Sequence, residues 1–256
     1  MNGYEISRLN DRKMTGLIVR RADEPVGKTV VLLHGYMGDA ESNTGFAKEI
    51  CDGCPETEVV VPDGPDPVFP ENDPSHRQWY PLPETADADG YLYSFMPYYL
   101  PAEKQKQIRE STPLIRKTAK TLNDFILRYL KKNGKALSDC FLCGISQGGI
   151  TAYEMLLFRP ELHKDDAGRS LAGLVIIGAG INESDRLNAI TALPPVPVLL
   201  ARGSRDGIFP KTVDYFSAAQ LRLHGFPVET AEADSVHFGL EHAVRAPVCD
   251  FIRRHG

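Results

Sequence analysis

Five short stretches of this chain, residues 29–33, 58–61, 139–143, 174–177 and 196–200, are almost uninterrupted runs of apolar and β-branched residues. A strand with one face in water alternates apolar with polar side chains, so a run without alternation must be covered on both faces. Between the runs lie segments with helical spacing. In 112–132, Ile115, Thr118, Leu122, Phe125, Ile126, Tyr129 and Leu130 recur on one face of a helix, and Gly134 follows where a C-terminal cap belongs. Further helices are predicted over 150–158, from Pro210 to His224 with Gly225 beyond the end, and over 240–254. A last strand is expected at 228–233, and a leading hairpin from 4–9 and 16–20 at one edge. The alternation of strand and helix predicts an α/β fold whose central sheet is mostly parallel, with helices on both faces.

A chain of 256 residues is long for one domain but ordinary for one α/β domain, here 1–256. The net charge of −5, with no basic stripe, argues against nucleic acid as a partner. Residues 1–13 hold Asn, Glu, Arg and Asp and no apolar run of signal-peptide length, and nowhere do about 20 apolar residues occur together. A cytoplasmic protein without a transmembrane segment is the expectation. The odd count of five cysteines speaks against a disulfide framework. Two pairs have CxxC spacing, Cys51–Cys54 and Cys140–Cys143. The second pair lies in a predicted strand, where residues three apart face opposite sides, so the two pairs cannot grip one zinc ion. No metal site is expected.

One segment breaks the rhythm. Residues 63–113 are rich in proline and carry Phe69, Trp79, Tyr80, Tyr91, Tyr93, Phe95, Tyr98 and Tyr99. A connection this long is usually functional or disordered, and its aromatics argue against disorder. Two readings stand side by side: a flap or pocket wall over a site that takes an apolar acyl group, or a loop that packs its rings on the domain surface.

The chemistry centres on Gly144-Ile145-Ser146-Gln147-Gly148, which directly follows a buried strand and precedes a helix. That setting is what a G-x-S-x-G nucleophile turn requires. The glycines remove side chains that would collide with the neighbouring strand and helix, so that the Ser146 hydroxyl projects at the carboxyl end of the sheet. A serine hydroxyl needs a base to take its proton. Of seven histidines, His237 occupies the loop between the last strand and the last helix, the place of the base in the order Ser, acid, His. His242 falls inside that helix. The acid is expected from the loop after 196–201, where Asp206 lies; Asp234, only three residues from His237, ranks below it. An aspartate there would hold the imidazole in the required tautomer. The oxyanion hole would use two backbone amides, that of Gln147 after the nucleophile and that of Tyr36 in the turn Leu33-His34-Gly35-Tyr36-Met37-Gly38-Asp39.

Together these residues resemble the phospholipase/carboxylesterase family of α/β-hydrolases, which includes acyl-protein thioesterases and small bacterial carboxylesterases. The likeness rests on His34-Gly35-Tyr36-Met37-Gly38-Asp39, Gly144-Ile145-Ser146-Gln147-Gly148-Gly149, Gly203-Ser204-Arg205-Asp206, His237 and the aromatic segment Arg77-Gln78-Trp79-Tyr80. It spans residues 29–254. It implies an α/β-hydrolase fold without a separate cap domain, the triad Ser146, Asp206 and His237, oxyanion donors at Tyr36 and Gln147, and no cofactor. Met37, Trp79 and Phe209 are expected to contact substrate. The His34-Gly35 loop is one residue longer than in the thioesterases, which makes the Met37 amide a second candidate donor.

The expected activity is hydrolysis of a carboxylic ester or thioester through an acyl-enzyme. The substrate would be a small-molecule or lipid acyl ester, or an acylated protein. A histidine base implies activity that rises with pH from the acid to the neutral range. Two other readings are a ligand-binding protein that keeps the fold without catalysis, and a serine peptidase on the same scaffold.

Overall fold

The structure, a computed structural model, describes residues 3–12, 14–71, 73–82, 102–158, 169–182 and 195–256, with the backbone alone for 102–109. Two antiparallel strands open the chain, β1 (Tyr4–Asp11) and β2 (Met14–Arg21), as the predicted edge hairpin. There follow β3 (Lys28–Leu33), α1 (Thr44–Gly53), β4 (Thr57–Pro62), and a separate two-stranded hairpin of β5 (Asp66–Phe69) and β6 (Asp73–Gln78). The long helix α2 (Ala102–Lys132) leads to a short 3-10 turn, then β7 (Cys140–Ile145), α3 (Gln147–Phe158) and β8 (Gly173–Ile177). The chain ends with β9 (Val198–Gly203), α4 (Lys211–Leu223), β10 (Val228–Ala233), α5 (Leu240–Ala243) and α6 (Arg245–His255).

Eight strands form one sheet in the order β1-β2-β4-β3-β7-β8-β9-β10. From β4 to β10 every pairing is parallel; β2 alone runs against the rest, antiparallel to both β4 and β1. The apolar runs explain why. In β3, Val31 and Leu33 face a core built with α2, α3 and α4, while Val30 and Leu32 face a second core built with α1, α5 and α6. β7 divides the same way, with Cys140 and Leu142 on one side and Phe141 and Cys143 on the other. The two CxxC cysteines of this strand therefore face opposite cores, and all five cysteines are free thiols. Among the described residues no cluster of His, Cys, Asp and Glu is arranged to hold a metal, and no helix is long and apolar enough to cross a membrane.

Several boundaries differ from expectation. The helix predicted from residue 112 begins ten residues earlier, at Ala102, and carries Pro113 within it. The final helix is interrupted at Val244, where φ is −101°, giving α5 and α6. Helix α1 and the β5–β6 hairpin carry no clear periodic signal. Of the 63–113 segment, residue 72 and residues 83–101, with Tyr91, Tyr93, Phe95, Tyr98 and Tyr99, lie outside the described residues.

β3 is the point where the sheet changes direction: its chain leaves outward to β4, whereas β7 leads away on the other side to β8, β9 and β10. In open α/β sheets the crevice at the carboxyl ends of such a pair is where ligands bind. The register pairs Leu33 with Gly144, so the loop after β3 and the turn after β7 emerge side by side.

Candidate active site

Ser146 occupies the turn between β7 and α3 with φ of 51°, a conformation that costs a non-glycine residue about 1–3 kcal/mol. Hydrogen bonds hold it there: its N–H donates to the Ile177 carbonyl (2.9 Å), and its own carbonyl accepts from Ile150 N–H (3.1 Å). The flanking glycines are required by contact. A Cβ on Gly144 would stand 2.5 Å from the Gly148 carbonyl oxygen, and one on Gly148 would stand 2.3 Å from that of Leu33. No side chain fits in either place, so β3, β7 and α3 converge on the turn as closely as backbone allows.

His237 bridges the two other predicted members of the triad. Its Nδ1 lies 2.8 Å from Asp206 Oδ2 and its Nε2 lies 3.0 Å from Ser146 Oγ. A carboxylate at Nδ1 can only accept, so the proton sits on Nδ1 and the Nε2 lone pair is left facing the hydroxyl. The Asp206 side chain is fully buried and its other oxygen accepts from the N–H groups of Ile208 and Phe209, each at 2.8 Å. This local turn holds the carboxylate through bonds that do not involve the histidine. The loops carrying the two residues are tied together by Ser204 N–H to the Ala233 carbonyl (2.8 Å) and Arg205 N–H to the Ser235 carbonyl (3.0 Å). Asp234 points elsewhere: it is exposed and accepts from Arg205 Nε at 2.7 Å. His242 pairs with Glu49 at the surface, 3.0 Å away.

The Tyr36 loop lies against the nucleophile. A Cβ placed on Gly35 would be 3.5 Å from Ser146 Cβ. Gly38 N–H donates to the Gly35 carbonyl (3.0 Å) and Met37 has φ of 65°, the pattern of a type II turn with Met37 at its third position. The Met37 amide is engaged by the Arg77 carbonyl at 3.0 Å, which removes it as an alternative oxyanion donor. Among the described residues, the Tyr36 and Gln147 amides have no hydrogen-bond partner. The Gln147 amide also opens α3, where the first N–H groups of a helix lack internal acceptors and carry its positive end.

Two of the expected substrate contacts lie inside the protein. Trp79 and Phe209 are fully buried. Trp79 donates from its indole N–H to the His34 carbonyl at 2.7 Å and packs on the His34 ring, with centroids 4.7 Å apart. Phe209 lies against the His237 ring, 5.5 Å between centroids. Both brace the site from behind. Met37 and Tyr36, by contrast, leave their side chains partly exposed on the loop, as does Phe238 beside His237.

The bracing involves residues that sequence patterns do not mark. The Gln147 side chain reaches across to residues 79 and 80, its Oε1 accepting from Trp79 N–H and its Nε2 donating to the Tyr80 carbonyl, both at 2.9 Å. Thr118 of α2 donates to the Trp79 carbonyl at 2.7 Å. His34 is buried, and burial lowers its pKa to about 4, so the ring is neutral. Gly64 N–H can only donate, and it meets Nε2 at 2.9 Å; the His34 proton therefore sits on Nδ1, facing the Gly35 carbonyl at 2.8 Å. A neutral, doubly bonded imidazole thus pins the start of the Tyr36 loop.

No family model and no curated protein matches the sequence. Solved structures do match. The esterase PE8 is 21% identical, with 95% of this chain and 99% of that one covered and a TM-score of 0.72. Acyl-protein thioesterase 2 from Zea mays is 16% identical over 100% and 99% of the two chains, with a TM-score of 0.64. A carboxylesterase from Mesorhizobium loti is 18% identical over 95% and 98%, with a TM-score of 0.62. At these identities the likeness is one of fold, and the fold is that of the α/β-hydrolases.

Proposed function

We propose that this chain is a serine hydrolase that cleaves carboxylic esters or thioesters through an acyl-enzyme. The observation that carries the reading is the single imidazole spanning Asp206 and Ser146, at 2.8 and 3.0 Å, from three separate strand ends. The names of the similar structures, among them a carboxylesterase and an acyl-protein thioesterase, support it. The whole chain is read as one domain in the cytoplasm, with the aromatic-rich insertion 63–113 acting as flap or pocket wall.

In the proposed cycle, Ser146 Oγ attacks the acyl carbonyl while Nε2 of His237 takes its proton. Asp206 faces the imidazolium that forms and stabilises it, in a site from which its own carboxylate is shielded from water. The tetrahedral oxyanion rests on the Tyr36 and Gln147 amides. Held in place beforehand, such donors contribute about 2.7–4 kcal/mol each to lowering the barrier. His237 then gives the proton to the departing alcohol or thiol, and water removes the acyl group by the same route. Apart from substrate and the hydrolytic water, every group the proposed cycle uses belongs to the chain, and it calls for no cofactor.

The test is a series of p-nitrophenyl esters and acyl thioesters of increasing chain length, with the matching anilides, on wild type and Ser146→Ala. Turnover of esters or thioesters with little anilide cleavage, lowered about 10⁴-fold by the substitution, is the expected result. A Ser146→Ala protein that keeps most of its turnover overturns the assignment. Wild type that stays folded, turns over nothing and fails to react with a fluorophosphonate is a binding protein instead.

A further inference from the structure

The catalytic reading leaves the thiols unused, and two of them meet at the end of the sheet opposite the triad. Cys54 caps the C-terminus of α1, just before β4 begins, and Cys249 lies on α6. The two helices close on each other here. A Cβ on Gly53 would stand 2.4 Å from Cys249 Sγ and 2.8 Å from Cys249 Cβ. Cys54 Sγ approaches the Cys249 carbonyl to 3.5 Å, and Cys249 Sγ lies 3.8 Å from the Glu49 carbonyl. An open cavity of about 510 Å³ reaches the pair at Cys54, with Lys28, Glu56 and Arg253 among its other lining residues. Arg253, one turn beyond Cys249, donates from Nη1 to the Gly53 carbonyl at 2.6 Å and so stands beside both sulfurs.

We propose that Cys54 and Cys249 form a peroxide-reactive thiol pair that closes into a disulfide joining α1 to the C-terminal helix.

The two thiols are not equivalent. The neighbouring thiols act on each other in opposite senses, raising the pKa of Cys54 and lowering that of Cys249, with the Arg253 guanidinium also favouring the Cys249 thiolate against burial and the carboxylates of Asp250 and Glu49. Cys249 is therefore the nucleophile and Cys54 the resolving thiol. The Cys249 thiolate attacks the outer oxygen of a hydroperoxide, breaking the O–O bond, and the departing alkoxide takes up a proton to leave as the alcohol. The sulfenic acid so formed is attacked by Cys54, the S–S bond forms and water leaves. In sum, two thiols and one hydroperoxide give one disulfide, one alcohol and one water. Cys51, one turn earlier on α1, is directed away: its thiol donates to the carbonyls of Val19 and Thr57, and burial raises its pKa to about 12. Cys140 and Cys143 are walled into the two cores, where burial pushes both thiols up in pKa.

The bond would close a loop between residues 195 apart in the chain. Such a closure restricts the unfolded chain strongly, and the oxidised protein should melt higher by on the order of 10 °C. The experiment treats the folded, full-length protein with tert-butyl hydroperoxide, counts thiols in denaturant before and after, maps the linked peptides and measures Tm. The expected result is a fall from five thiols to three, one cross-linked peptide joining Cys54 to Cys249, and a raised Tm that reductant reverses. The mapping needs no variant. Cys54→Ser and Cys249→Ser should each abolish the rise, while Cys51→Ser keeps it. Five free thiols after treatment, a bond to any other cysteine, or oxidation of single thiols without a bond each overturn the proposal. None of these readouts depends on esterase activity.

Discussion

Asp214 offers a test of how the region behind the site balances charge against burial. It lies in the first turn of α4, is buried, and one carboxyl oxygen, Oδ2, has no hydrogen-bond partner. Burial drives its pKa up from 3.8 to about 7; the Arg202 guanidinium opposes the shift, whereas the carboxylates of Asp206 and Glu232 add to it. The positive end of α4 favours the anion by up to about 1 kcal/mol, too little to win against loss of water. The unfolded chain releases this proton near 3.8, and the native protein keeps it until about 7. Between those values the unfolded state binds fewer protons than the native state, so stability falls as pH rises through the window and stays reduced above it. Holding a proton over some three pH units corresponds to about 4 kcal/mol, an upper value because a relaxing interior admits some water. Asp214→Asn removes the titration and keeps the shape. Its stability relative to wild type should therefore improve between pH 4 and pH 8 by about 2–4 kcal/mol, whatever constant offset the amide introduces. Urea unfolding at a series of pH values measures this directly. Parallel curves for the two proteins would refute the argument.

Other consequences follow from single contacts. Asp206→Asn should lower kcat by roughly 10⁴ through the wrong imidazole tautomer, while Asp234→Asn, in its exposed pair with Arg205, should change ester turnover less than about twofold. Trp79→Phe keeps the ring on His34 but removes the 2.7 Å donor to the His34 carbonyl; an unfolding curve shifted by about 1–3 kcal/mol is expected. Gly148→Ala places a methyl group 2.3 Å from the Leu33 carbonyl oxygen, so the turn must open; stability should fall by about 1–3 kcal/mol and fluorophosphonate labelling of Ser146 should slow with it.

How much of this was legible in the sequence depended on how local the signal was. The strands were readable because a run such as Val30-Val31-Leu32-Leu33 has to satisfy two cores at once. That Ser146, Asp206 and His237 would meet was readable because each lies in the turn or loop after a strand, and the strands from β7 to β10 lie in the sheet in chain order. Helix α1 was not readable. Its buried face is only Phe46, Ala47, Ile50 and Cys51, too short a stripe to stand out. Helix α2 was truncated because Pro113 reads as a break, although the helix runs through it. The pairing of Gln147 with Trp79 joins residues 68 apart through an amide side chain, and no periodicity records such a bond. The setting of Trp79 was hidden for a related reason: an aromatic in a proline-rich loop looks like a ligand contact, and nothing local records that its N–H is spent on His34.

The positions of unfavourable backbone tie these observations to the crevice. Three non-glycine residues among those described have positive φ: Arg12, Met37 and Ser146. Arg12 lies at the tip of the β1–β2 hairpin, where tight turns ordinarily demand that conformation. The other two occupy loops that emerge from the paired strands β3 and β7. At Met37 the conformation turns the loop so that its amide meets Arg77, leaving the preceding Tyr36 amide without an acceptor among the described residues. At Ser146 it lifts the hydroxyl toward His237 while the next amide heads a helix. Each would relax into a commoner conformation in an isolated peptide. Both persist because Trp79 and Tyr80 are held by the Gln147 side chain and His34 fastens the other loop to Gly64. Loosening that strap should therefore reduce turnover more than it reduces stability, because the strain it contains is located at the groups that would do the chemistry.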